Sequence, residues 1–447
     1  MAVSYASPGV YVEEVDRGAK PIQAVGTSTA AFVGITAEAS RKALDPATGE
    51  RVPVESRVNI ATLVTNWTQF SDIFGGFVQG AYLPDAVYGY FANGGGPCYV
   101  LSLRALNEAA AEKASSPRSR PAPKKKEEGE EGDSAPPPPP PPTFGPLTAA
   151  DFIGDVAQRT GINGLEALDD VSLVLCPDLM AGYDGSNAAK ELVKQVQTAL
   201  IAHCENLKYR FAILDTPPGL NAQQAKEWRN YINFDSSYAA LYYPWVEVAD
   251  LSDSPQTSKF VPPSGHVVGI YNRADSERGV HKAPANEVVL GATNLEINLT
   301  KGEQDTLNPI GVNCIRAFPG RGIRVWGART LTSDGSWRYI NVRRLFIMVG
   351  ASLEANMGWV VFEPNDSTLW AKVTRDVTSF LRLVWRSGAL FGSTPEQAFY
   401  VKCDEELNPT EVRDLGQLII EIGLAPVKPA EFVIFRLSQW AGANAEA

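Results

Sequence analysis

Histidine is scarce in this chain: His203, His266 and His281 are the three in 447 residues. They stand far apart in sequence, so no histidine-rich metal cluster can form locally, and no metal site is expected. Cys98, Cys176, Cys204, Cys314 and Cys403 include no Cys-x-x-Cys pair. An odd count, scattered through a long chain, argues against a disulfide framework and for reduced thiols in or near cores. No Gly-x-x-x-x-Gly-Lys-Ser/Thr phosphate loop is present, and no cofactor is expected. Basic residues are outnumbered, 40 Lys and Arg against 51 Asp and Glu. The net charge of −11 weighs against nucleic-acid binding, which favours a basic domain. No apolar run of about 18 residues exists, which weighs against a membrane-spanning helix, and no direct membrane insertion is expected. The first 25 residues carry Pro8, Glu13, Glu14, Asp16 and Pro21 without a continuous apolar stretch, so they do not read as a secretory signal. The expectation is folding in a cytoplasm.

What is present is an α/β pattern. Residues 28–36 form a short apolar run that reads as a buried strand. The Gly94–Pro97 break precedes a strand-like CYVLSL. From 148 to 245, strands at 171–177, 211–217 and 239–246 alternate with helices at 187–204 and 222–234. Such alternation predicts a parallel sheet covered on both faces. Residues 260–340 are rich in Gly, Pro and turn signals. The last 100 residues contain a helix over 366–387, with Asp366 as N-cap, and two closing strands at 417–424 and 431–440. At 100° per residue, Leu369, Val373, Val377, Phe380, Leu381 and Val384 share one side of that helix. Lys372, Arg375, Arg382 and Arg386 fall within about an 80° arc on another. A basic stripe in an acidic chain is a candidate contact for an acidic partner; the alternatives are a solvated face or arginines paired internally.

One arrangement resembles catalytic chemistry. Gly26-Thr27-Ser28-Thr29-Ala30 looks like the nucleophile turn of subtilisin-type proteases, and Asp215 looks like their aspartate. A working triad needs histidine between serine and aspartate. Those proteases order the three as Asp, His, Ser, whereas here Ser28 precedes Asp215, and Pro217 and Pro218 follow closely. No histidine sits at a glycine-flanked helix start. A subtilisin-fold serine hydrolase is therefore the weaker alternative, and no catalytic residue is assigned.

Residues 107–146 differ in kind. Lys124-Lys125-Lys126 is followed by EEGEEGD and by seven prolines, Pro136 to Pro142. Such a segment buries too little apolar surface to offset its ordering entropy. It reads as an exposed insertion or linker, with a docking site for a proline-reading partner as the alternative.

Several segments together resemble a known family. Ser7-Pro8-Gly9-Val10-Tyr11-Val12-Glu13-Glu14, followed by Gly26 to Gly34, is similar to the opening of contractile phage tail sheath proteins. Pro262-Pro263-Ser264-Gly265-His266, Ala274 to Val280, Lys282 to Asn286, Gly322 to Thr330, Tyr339 to Leu345, Phe362 to Asp366, Gly388 to Gly392 and Ala398 to Val401 continue the likeness in order. It covers residues 1–35 and most of 148–440. The resemblance implies a multidomain α/β (α+β mixed) fold: a subtilisin-like sheath domain without a catalytic triad, then a C-terminal α+β sheath domain, with extended N- and C-terminal arms. The implied divisions are an arm (1–25), the N-terminal part of the sheath core (26–106), the Pro-rich charged insertion (107–147), the subtilisin-like domain (148–310), the inner C-terminal domain (311–428) and a second arm (429–447).

The implied function is a structural subunit of a helical sheath that surrounds an inner tube and contracts. The implied partners are identical copies, the inner tube, and baseplate and cap proteins, within a phage tail or a released phage-tail-like particle. A strand with unpaired N–H and C=O groups is a template for another chain. Val10, Tyr11, Val12 and Glu13 at one end, and Phe432, Val433, Ile434, Phe435 and Leu437 at the other, are the candidate strands exchanged between subunits. Lys372, Arg375, Arg382 and Arg386 are the candidate inner-tube contacts. Without a nucleotide site, the energy of contraction is expected to be stored at assembly.

Overall fold

Short runs of Val, Ile, Leu and aromatic residues, apolar on both faces, make the strands at the centre of this molecule. The computed structural model describes residues 22–45, 51–107, 147–252 and 256–436. The chain divides into two compact units, one from Gly26–Val349 with the segment from Pro426, the other from Gly350–Ala425 with the segment up to Val25.

In the larger unit the strands are β1 (Ala30–Thr36), β2 (Ser40–Leu44), β3 (Arg51–Ser56), β4 (Thr62–Val64), β5 (Cys98–Ala105), β6 (Leu173–Leu175), β7 (Phe211–Asp215), β8 (Ala239–Tyr243), β9 (Val246–Ala249), β10 (Ser258–Val261), β11 (Asn294–Leu295), β12 (Val312–Phe318) and β13 (Gly322–Val325). Eight of them form one sheet in the order β13-β12-β8-β7-β6-β1-β5-β4. The strands from β12 to β5 run parallel, and antiparallel β13 and β4 close the two edges. The parallel sheet expected from the 148–245 pattern is therefore present, and β1 and β5 extend it.

Period-two alternation feeds two apolar layers. Phe211 and Ile213 join Phe32, Val100, Leu173 and Tyr242, under helices Trp67–Phe74, Leu83–Ala92 and Ser264–Arg278. Ala212 and Leu214 join Ala31, Val33, Val174 and Leu241, under helices Asn187–Leu207 and Ala222–Ile232. The helix ends follow from local chemistry. Ser186 accepts from the Ala189 amide, and Asn221 forms a capping box with Gln224. The Ser264–Arg278 helix was not visible as a periodic pattern, because it is buried from Ser264 through Asn272 without interruption. A helix buried all round has no polar stripe to reveal it.

The smaller unit holds the helix Ser367–Arg386 and an antiparallel pair, β14 (Phe399–Lys402) and β15 (Glu421–Leu424). Asp366 caps the helix by accepting from the Leu369 amide at 2.9 Å. The strand expected over 417–424 pairs only from Glu421. Asn408 takes both backbone groups of Ile419, accepting its N–H at 2.7 Å and donating to its C=O at 3.0 Å. The Gln417 carbonyl accepts from Asn365. Those groups are unavailable to a ladder. The strand expected over 431–440 pairs with none of the described residues over 431–436, and its remaining residues lie outside those described.

Candidate assembly surfaces

The residues that resembled a catalytic triad have separate structural partners. Thr27 is pinned by a buried ion pair: Arg344 donates to both oxygens of Asp275 at 2.9 and 2.5 Å and to the Thr27 carbonyl at 2.8 Å. The Thr27 hydroxyl closes the ring by donating to Asp275 at 2.6 Å. Asp215 ends β7 and accepts from the Ser264 amide at 3.0 Å. Burial pushes its carboxyl up to about 7. His203 Nε2 faces Arg210 Nη1 at 2.7 Å, and burial, aided by the Arg210 charge, holds the imidazole down at about 4. Against the expectation that no histidine stands at a glycine-flanked helix start, His266 follows Gly265 in the first turn of the Ser264–Arg278 helix. It is buried, with no partner for Nδ1 among the described residues, and packed where Gly89 has no Cβ. Among the described residues, no hydrogen bond joins Ser28 to a histidine or a histidine to Asp215. Nor do these residues contain a cluster of three His, Cys, Asp or Glu side chains able to hold a metal, or a helix long and apolar enough to cross a membrane.

The basic stripe lies where helical geometry put it. Leu369, Val373, Val377, Phe380, Leu381 and Val384 are buried, whereas Lys372, Arg375, Arg382 and Arg386 are all exposed. Arg375 is partnered by its own neighbour, with Nε donating to Asp376 at 2.9 Å. A shallow groove beside the stripe is lined by Trp370, Thr374, Thr378, Cys403 and Glu405. Leu383, 59 % exposed, stands next to it.

The C-terminal segment is built differently. In the larger unit, Asn341 donates to the Val427 carbonyl at 3.2 Å. Four residues later one carboxylate takes four hydrogen bonds. Glu431 accepts from Arg329 through Nε at 2.9 Å and Nη2 at 2.7 Å, from Asn308 at 2.6 Å and from the Tyr339 hydroxyl at 3.0 Å. Partial burial raises its pKa, but the Arg329 and Asn308 hydrogen bonds outweigh that and hold the carboxyl below its usual range. The same segment borders a groove of about 860 Å³ shared with Lys282, Arg316, Phe318 and Trp326. Beyond the clamp the character reverses: Phe432, Val433, Ile434 and Phe435 are 71, 70, 79 and 83 % exposed. Val10, Tyr11, Val12, Glu13 and Leu437 lie outside the described residues. The clamp was not legible in the sequence; a lone glutamate between Pro429-Ala430 and Phe432-Val433 was its one trace.

An α/β body with helices on both faces of its sheet carries an anchored apolar tail, and the smaller unit an exposed basic helix, surfaces suited to contacts with other chains. Comparison with known proteins places the chain. The model of the phage tail sheath protein central domain matches residues 162–331, and that of the phage tail sheath C-terminal domain matches residues 332–439. A putative prophage major tail sheath protein of Pseudomonas aeruginosa is 27 % identical over 304 residues, 65 % of this chain and 74 % of that one. The tail sheath protein of Vibrio phage KVP40 is 24 % identical, over 60 % of this chain but only 43 % of its own length. A chain of the anti-feeding prophage baseplate, solved by cryo-electron microscopy, superposes with a TM-score of 0.67 and 27 % identity, covering 98 % of this chain and 99 % of that one. A chain of the PVC sheath complex, an extracellular contractile injection system in its contracted state, gives the same four values. This chain belongs to the contractile tail sheath protein family.

Proposed function

We propose that copies of this chain polymerise into a helical sheath around an inner tube, and that the sheath shortens to drive the tube through a target cell envelope. The observation that carries the reading is the end-to-end likeness to a sheath complex in its contracted state. The six divisions from the N-terminal arm (1–25) to the C-terminal arm (429–447) remain our reading of the chain, with a subtilisin-like middle domain that is not catalytic. Engagement of Thr27 by the Arg344–Asp275 pair, and of Asp215 by the Ser264 amide, supports a structural role for the catalytic look-alikes.

Subunits are linked by strand exchange. Residues 8–15 of one neighbour and the segment from Phe432 of another add to the smaller unit of a third subunit. The two-stranded β14–β15 sheet has two edges that no described strand pairs with, which suits it to this. Exposure of Phe432 to Phe435, with no strand pairing to them among the described residues, supports the donor role. Lys372, Arg375, Arg382 and Arg386 face the inner tube. The remaining partners are baseplate and cap proteins, assembly takes place in the bacterial cytoplasm, and neither nucleic acid nor a membrane is bound.

The test is negative-stain electron microscopy of the full-length chain and of a truncation lacking residues 1–20, each with and without inner-tube protein. The expected result is hollow cylinders from the full-length chain and monomers from the truncation. A full-length chain that stays monomeric even with the tube protein overturns the sheath reading. Cylinders from the truncation overturn the N-terminal arm mechanism.

A further inference from the structure

Four hydrogen bonds onto one carboxylate, just before four exposed apolar residues, are more than a chain end needs. Arg329 is itself buried, and its side chain engages Glu431 through two nitrogens. Such a bidentate guanidinium–carboxylate pair fixes direction as well as distance. Tyr339 and Asn308 add donors from the same unit, and both are joined to Arg329, which donates to the Asn308 carbonyl at 3.3 Å and forms a β-bridge with Tyr339, so Glu431 is held by three positions that keep their mutual spacing. A strand that docks on a neighbour must arrive in register, because a slip of one residue turns every side chain to the opposite face. A free tail would have to find that register on each encounter; a tail fixed at its root arrives with it set.

We infer that Glu431 is the positioning residue of the C-terminal arm: clamped by Arg329, Tyr339 and Asn308, it sets the reach and the register with which Phe432, Val433, Ile434 and Phe435 meet a second copy of this chain. The inference rests on the arm-exchange reading above, and it assigns the arm's geometry to a residue whose described hydrogen bonds are all to its own chain.

The experiment measures polymer formation by pelleting against chain concentration, with thermal unfolding of each variant as the check on folding. Glu431→Ala should still unfold cooperatively, at a temperature lowered by the unpaired Arg329, while raising the concentration needed for assembly by on the order of tenfold, as charge-assisted bonds are lost. Insertions between Glu431 and Phe432 keep every clamp residue and test register directly. One added glycine should block assembly, and two should restore much of it, because strand faces repeat every second residue. In the Glu431→Ala background that odd–even difference should vanish. Wild-type assembly by Glu431→Ala, or equal effects of one and two insertions, overturns the inference. Removal of residues 432–447 separates the two ideas. If that deletion still assembles, the C-terminal arm reading itself fails; if it does not, while Glu431→Ala assembles normally, the positioning role alone fails.

Discussion

At the scale of single residues, Asp178, whose carboxyl is pushed up to about 7 by burial, illustrates how a buried acid can organise backbone. Its carboxylate accepts from the Ile35 amide at 2.5 Å and from the amides of Tyr82 and Leu83, so it ties β1 to the start of the Leu83–Ala92 helix. Gly34 is required because a Cβ there would collide with that carboxylate. Gly34→Ala should therefore cost about 1–3 kcal/mol through overpacking. Gly26→Ala, where a Cβ meets nothing within 4 Å, should stay within about 0.5 kcal/mol of wild type. Urea unfolding midpoints compare the two, and equal midpoints would remove the close-approach explanation. His203 makes a prediction in pH. Its folded value, about 4, lies below the ordinary 6.5. Its contribution is therefore fully present above pH 6.5 and is lost as pH falls toward 4, because the unfolded chain takes up the proton first. The slope is at most about 1.4 kcal/mol per pH unit. His266, also near 4 through burial, adds a second slope of the same sign. A His203→Gln variant should flatten the stability profile between pH 4 and 6.5; an unchanged profile would mean that His203 is not held neutral.

At the scale of elements, legibility followed chemistry that is local in sequence. The strands β6, β7 and β8 and the helices between them were readable because each carries its own apolar pattern and caps. The basic stripe was readable because 100° per residue places Lys372, Arg375, Arg382 and Arg386 together without knowledge of the rest. The Glu431 clamp was not, because its donors Tyr339, Arg329 and Asn308 lie 92, 102 and 123 positions away. Ile419 was misplaced because Asn408, eleven positions earlier, competes for its backbone. The Ser367–Arg386 helix yields two predictions. Asp366→Ala removes the acceptor of the Leu369 amide and should cost about 1 kcal/mol, read as faster hydrogen exchange at the first turn. Lys372→Glu with Arg382→Glu should abolish co-sedimentation with the inner tube while leaving the fold intact. Arg375 is left out because its reversal would set a carboxylate beside Asp376 and confound folding with binding. Unimpaired co-sedimentation would assign the stripe to solvent.

At the scale of the whole molecule, the question is where contraction draws its energy. The larger unit buries apolar side chains on both faces of its eight-stranded sheet. Interiors packed in this way resist graded deformation and move as blocks. We propose that the changes a sheath uses lie between subunits, where they repeat identically along a helical polymer. On that proposal, a gain of about a few kcal/mol at each subunit sums over the whole sheath without any nucleotide. Two measurements follow from this division. Triggered contraction of an assembled sheath in nucleotide-free buffer should release heat in proportion to the number of subunits. Amides of β1, β6, β7 and β8 should exchange at the same rate before and after contraction, because the sheet is never opened. Heat release with altered exchange in the sheet would move the energy source inside the subunit. Absence of heat would mean that contraction is driven by entropy gained at the interfaces, by water release or by relaxation of the arms. In that case its rate should rise with kosmotropic salt, which strengthens apolar burial and leaves arm relaxation unaided.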